Sequence, residues 1–209
     1  MGEAMKSVQN LWGKHSGEVG YIVGRGPSVI NIKADDLGPG PIITLNHAIH
    51  YVEALDLPNP VYSMQKDGCD INERGNGLCK YDCHTRPHGP TGMGGYPKKA
   101  ALLLSWPESW ICYPESDERY VFDVQMDCHF EARAVGSLPV AAKIIQLMGV
   151  KEVKILCCDS IDGEYRSAYN DKRLGIALDW SNEKMLAWYR SSAQRAQEAL
   201  DVPFEWVTI

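Results

Sequence analysis

Tyr21-Ile22-Val23 runs straight into Gly24-Arg25-Gly26-Pro27-Ser28. Glycines at 24 and 26 let the backbone bend sharply and approach a ligand with no Cβ in the way. Pro27 suits the first turn of a helix, where its missing N–H costs nothing. The N–H groups that follow would face an anion, most often a phosphate. A plain strand-to-helix turn that needs glycine only for steric reasons uses the same residues. A second group lies between Cys69 and His88. Cys79 and Cys83, like His84 and His88, are spaced as zinc ligands can be, which makes Cys79, Cys83 and His88 the candidate metal set. The alternative for that segment is a lid of incidental thiols over a nucleotide site. His47 and His50 follow a strand end closely enough to act as acid, base or phosphate donor, or simply to line a helix surface.

Two familiar phosphate sites are excluded. A dinucleotide fingerprint needs a third glycine, and Val29 stands there. It also needs an acid about 20 residues further on, where this chain has Thr44-Leu45-Asn46. No run fits the G-x-x-x-x-G-K-[ST] of a P-loop.

These groups must be positioned by a chain of 209 residues, long enough for one domain, 1–209, with a proper core. The composition is that of a soluble protein, 44% hydrophobic and 23% charged, with a formal net charge of -6. That charge gives no overall basic field to draw in nucleic acid. No signal peptide is visible in the mixed, polar start. The longest apolar run, Ala100-Ala101-Leu102-Leu103-Leu104, is far short of a membrane span. Cysteines without a secretion signal suggest free or metal-bound thiols in a reducing, cytoplasmic compartment. A homo-oligomer is left open.

Strands and helices alternate. Tyr21–Val23, Pro41–Leu45 and Pro60–Met64 are short apolar runs that predict buried strands. Ala48, Val52 and Leu55 fall at helical spacing after the second of them. Residues 68–97, rich in glycine, proline and cysteine, read as a long loop or lid. Ala101–Trp106 and Trp110–Tyr113 predict further strands. Ser137 to Gly149 predicts a helix with Gly149 as its terminal glycine. Val153–Cys158 predicts a strand that ends at Asp159, with Cys157 and Cys158 as core thiols. A helix over Asn182–Leu200 then feeds a closing strand, Phe204–Ile209. The expected fold class is therefore α/β, a mostly parallel sheet with helices on both faces. Right-handed crossovers bring all strand carboxyl ends to one edge, where open α/β sheets bind ligands. Gly24–Ser28, Asn46, Asp67 and Asp159 are all expected there.

"IVGRGPSV", "ITLNHA" and "VGSLPVAAKIIQLMGVKEVKILCCDSIDGEYRSAY" together resemble the Rossmann-like superfamily of bacterial CMP-sialic-acid sialyltransferases. That superfamily also includes 6-hydroxymethylpterin pyrophosphokinase-like proteins. The resemblance covers Tyr21 to Ile209 in order, through short motifs. It implies a Rossmann-like fold in which Gly24, Gly26 and Ser28 hold the phosphate and ribose region of a nucleotide. Arg25 replaces the family's usual asparagine and could pair with a phosphate. It further implies that Asn46 binds the nucleotide and that Gly136 and Ser137 touch its other side. Tyr165 and Tyr169 are similar to the tyrosine pair that hydrogen-bonds the leaving phosphate. Two phenol donors can stabilise that charge without a metal, and four residues apart they share a face of a helix. The same two tyrosines could equally be packing or surface residues.

The activity implied is transfer of a glycosyl group from a CMP-type or related nucleotide-sugar donor to a hydroxyl acceptor. The family's histidine base has no counterpart, since no histidine follows His129. A base would have to be a carboxylate such as Asp162, Asp171 or Asp179. The alternative within the resemblance is a pyrophosphokinase, whose Mg²⁺ would be held by Asp67 and Asp159, with Asp162 close behind. Strand-end aspartates also cap loops. A non-catalytic nucleotide-binding module is the third reading.

Overall fold

The computed structural model describes residues 6–65, 99–105, 118–130, 136–159 and 182–209. Among these residues there are eight strands: β1 (Lys6–Ser7), β2 (Val19–Val23), β3 (Ile42–Leu45), β4 (Val61–Gln65), β5 (Ala101–Leu104), β6 (Arg119–Val121), β7 (Glu152–Leu156) and β8 (Phe204–Val207). They form one sheet in the order β1-β6-β5-β4-β3-β2-β7-β8. Every neighbouring pair is parallel. The α-helices of the described residues are α1 (Ile49–Ala54), α2 (Ser137–Leu147) and α3 (Asn182–Ala199).

The apolar runs become strands because both faces of a parallel sheet are covered, so no polar alternation is needed. Ile22, Ile43, Tyr62 and Leu103 point to the side covered by α2 and α3. Tyr21, Val23 and Ile42 point to the other, against Val52 of α1 and Ala48 just before it. In α2 the buried residues Leu138, Val140, Ala141, Ala142, Ile144 and Ile145 run almost around the helix. The helix is squeezed between the sheet and α3, whose buried Ala193, Ala196 and Ala199 keep the contact close. Each buried Ile or Leu side chain contributes about 1.5–3 kcal/mol.

Most expected elements are present, with differences that have physical causes. The expected helix after β3 begins as a 3₁₀ turn, Asn46–Ala48, and only six residues of α-helix follow. Asn46 has φ 51°, a left-handed conformation that cannot propagate a helix. After Pro27 there is only a 3₁₀ turn, Pro27–Asn31, with no side-chain cap. The β-branched run Val29-Ile30, with Ile32 beyond Asn31, disfavours extension into an α-helix. β7 ends at Leu156, so Cys157 and Cys158 lie past the strand and not within it. β1 and β6 are two- and three-residue strands that no hydrophobic pattern announces. The expected strand Trp110–Tyr113 and the loop 68–97 lie outside the described residues. Among the described residues no helix is long and apolar enough to cross a membrane.

The strand order determines where loops diverge. From β2 the chain steps sideways through β3, β4, β5 and β6. It then crosses back to lay β7 on the other flank of β2. β2 is followed by β3 on one flank and β7 by β8 on the other, so the order of the strands reverses between β2 and β7, the kind of place where α/β sheets take their ligands.

Candidate ligand site at the carboxyl edge

Three adjacent strands, β7, β2 and β3, end side by side. Val23 is level with Leu156 on one flank and with Thr44 on the other. β2 continues into the glycine turn. The Gly24 amide donates to the Leu156 carbonyl at 2.8 Å and the Gly26 amide to the Cys157 carbonyl at 2.8 Å, so the turn clings to β7 beyond the sheet. A Cβ on Gly24 would meet the Cys157 carbonyl and the Cys158 sulfur, and one on Gly26 would overlap the Asp159 carboxylate. Both glycines are thus required by close approach to the neighbouring strand end.

Ser28 and Asp159 join the two loops. The Ser28 amide donates to Asp159 Oδ2 at 3.0 Å, and the Ser28 hydroxyl donates to Oδ1 at 2.9 Å. The carboxylate has lone pairs to spare and can accept further hydroxyl protons. Asp159 is exposed and Ser28 half-buried, so a ligand can reach the pair.

The flanking strand ends are strained in the same way. Asn46 after β3 has φ 51° and Cys157 after β7 has φ 56°. Left-handed conformations in residues other than glycine are uncommon and gather at binding and catalytic sites. Asparagine tolerates the conformation best, cysteine poorly. Burial pushes the Cys157 thiol up to about 11, against the lowering effect of its bond to Ser28. Burial likewise pushes Cys158 up to about 12. Neither is a thiolate nucleophile at neutral pH.

Of the residues singled out in the sequence, Gly24, Arg25, Gly26, Ser28, Asn46 and Asp159 stand along these three strand ends. Ser28 was expected to hold the phosphate and ribose region of a nucleotide, and Asp159 to hold Mg²⁺ in the pyrophosphokinase alternative; the two bond each other. Gly136, just before the first residue of α2, has a different neighbour. A Cβ there would collide with Ser192 and crowd Trp188 of α3, so the glycine admits that helix. Ser137 is half-buried beside it. Asp67, Asp162, Tyr165, Tyr169, Cys79, Cys83 and His88 lie outside the described residues. Among the described residues no group of three His, Cys, Asp or Glu side chains is placed to hold a metal ion.

Sequence reasoning missed the left-handed Cys157 and the Ser28–Asp159 pair. The second was within reach, because both residues follow strands that such a fold places side by side at one edge. Comparison with family models, with curated proteins and with solved structures finds no match to this chain.

Proposed function

We propose that the carboxyl edge at β2 and β7 binds a nucleotide-activated donor and that the protein is a glycosyltransferase of the sialyltransferase-like, Rossmann-like type. The observation that carries the reading is the Ser28–Asp159 pair that joins the loops after β2 and β7. A carboxylate fixed there can accept hydrogen bonds from the vicinal hydroxyls of a ribose or sugar. It also sets a condition on the ligand. A bare phosphate on Ser28 would meet the charge of Asp159, so the donor's phosphate lies toward Asn46 and the start of α2. In this reading Tyr165 and Tyr169 serve the leaving phosphate, and Asp162 supplies the carboxylate that no downstream histidine replaces.

The same carboxylate also favours a second reading. A phosphate can sit beside Asp159 when Mg²⁺ lies between them, as a pyrophosphokinase of the hydroxymethylpterin type requires.

A thermal-shift titration of the full chain with CMP, CDP, UDP, GDP, AMP and ATP, each in Mg²⁺ and in EDTA, separates these readings. A ligand that binds only the folded state raises Tm by mass action. Stabilisation by cytidine nucleotides in EDTA is the outcome expected of the glycosyltransferase. Stabilisation by ATP only with Mg²⁺ transfers the assignment to the pyrophosphokinase. No shift with any nucleotide removes both. Asn46→Ala is expected to weaken the best nucleotide about tenfold or more while the protein stays folded, and unchanged affinity would take Asn46 out of the site.

A further inference from the structure

The opposite edge of the sheet carries a cluster that the ligand site does not use. His15 lies in the turn 12–18 that leads into β2 and is 5% exposed. Its Nε2 is 2.9 Å from the hydroxyl of Tyr62 on β4. Its Nδ1 is 3.3 Å from the Glu18 carboxylate. An ionised carboxylate only accepts, so in the neutral ring Nδ1 carries the proton and donates to Glu18. Nε2 then accepts from the Tyr62 hydroxyl.

Other charges face this relay from the neighbouring elements. Lys14 Nζ stands 5.8 Å from the centroid of the Tyr62 ring and 5.9 Å from that of Tyr120 on β6. Glu118 accepts from the Tyr120 hydroxyl and from Lys6 of β1. From α2 the facing groups are carbonyls. The amides of Gly13, His15 and Gly17 donate to Leu147, Met148 and Gly149 at 3.0, 2.8 and 3.1 Å. One residue thus ties the turn to the sheet through its ring and to the end of α2 through its amide.

We infer that His15 is a proton-operated clasp: the neutral ring holds the turn 12–18 and the end of α2 against the sheet, and protonation releases them. A protonated ring donates from both nitrogens, so the Tyr62 hydroxyl loses its acceptor and has to reorient inside the core. Burial, the largest influence, holds the His15 pKa below its ordinary value; Glu18 acts in the opposite direction and Lys14 with burial. Above pH 6.5 the ring is neutral in both folded and opened chains, and the clasp is at full strength. Below pH 6.5 the opened state takes up the proton first. Stability is then lost with falling pH until the lower folded pKa is reached. One proton changes the opening equilibrium by at most about tenfold per pH unit. The clasp requires nothing of the ligand site.

Hydrogen exchange of the Gly13, His15 and Gly17 amides, corrected for intrinsic rates, tests this at pH 7.5 and 5.0 in the full chain. Protection of these three is expected to fall by up to about tenfold per pH unit below 6.5, while the Ile43 amide within β3 keeps its protection. In His15→Gln the fall disappears. In Glu18→Gln, a change at an exposed side chain that keeps the test alive if His15→Gln does not fold, the imidazolium loses its partner. The fall then continues to lower pH and becomes larger. Unchanged protection in the wild-type protein, or a wild-type profile in either variant, overturns the inference.

Discussion

At the carboxyl edge, β7, β2 and β3 end in backbone devices: a glycine turn, two left-handed residues and one exposed carboxylate bonded to a half-buried serine. At the amino edge the same sheet is held by side chains, with Tyr62, Tyr120 and His15 buried and linked to Glu18, Glu118, Lys6 and Lys14. The first edge keeps polar groups in reach of solvent and stores strain. The second pairs its polar groups with one another, the histidine and tyrosines buried and their charged partners Lys6, Glu18 and Glu118 at the surface. Strain and spare hydrogen-bonding capacity are what a ligand can use, whereas a network whose members bond one another supplies rigidity.

Three substitutions break or sharpen that contrast. Tyr62→Ala has the largest expected effect. It removes one of the largest fully buried side chains and leaves the His15 ring without its phenol, at a cost of about 3–5 kcal/mol. Urea unfolding measures the loss. Among molecules still folded, nucleotide affinity should stay at the wild-type value; a parallel loss of affinity would show that the two edges are coupled. Gly26→Val comes next, at about 1–3 kcal/mol, because the new side chain overlaps Asp159 and the Cys157 carbonyl. The same unfolding experiment reads it, and nucleotide binding should fall with it, since the loop that carries Asp159 has to move. Asp159→Ala is the mildest for stability, about 1 kcal/mol, because the lost bonds are exposed. Its effect on affinity for the stabilising nucleotide should exceed that. Calorimetric titration compares the two, and a loss of stability with no loss of affinity would make the pair purely structural.

Much of this was legible beforehand. Buried parallel strands read as apolar runs, so β2, β3, β4, β5, β7 and β8 could be placed from Tyr21–Val23, Pro41–Leu45 and their later counterparts. Gly149 announced the end of α2 and has the left-handed φ of 83° that such a terminus uses. β1 and β6 were illegible because two or three residues carry no period, and pairing with a neighbour is what makes them strands. His15 drew no notice, since a lone histidine in a polar stretch gives no sign of a tyrosine 47 residues away. That Gly136 lies against Ser192 and Trp188 of α3 was illegible too, because a glycine carries no sign of what approaches it.

The alternation of strands and helices and the glycine turn were readable in the chain alone. Those properties are local, written in hydrophobic period and in the conformational freedom of single residues. Only the tertiary structure decided that β7 returns to the flank of β2, and with it that Ser28 bonds Asp159 and that His15 bonds Tyr62. Such pairings join residues far apart in the chain. They depend on which strands become neighbours, a choice made by the packing of the whole sheet and carried by no single segment.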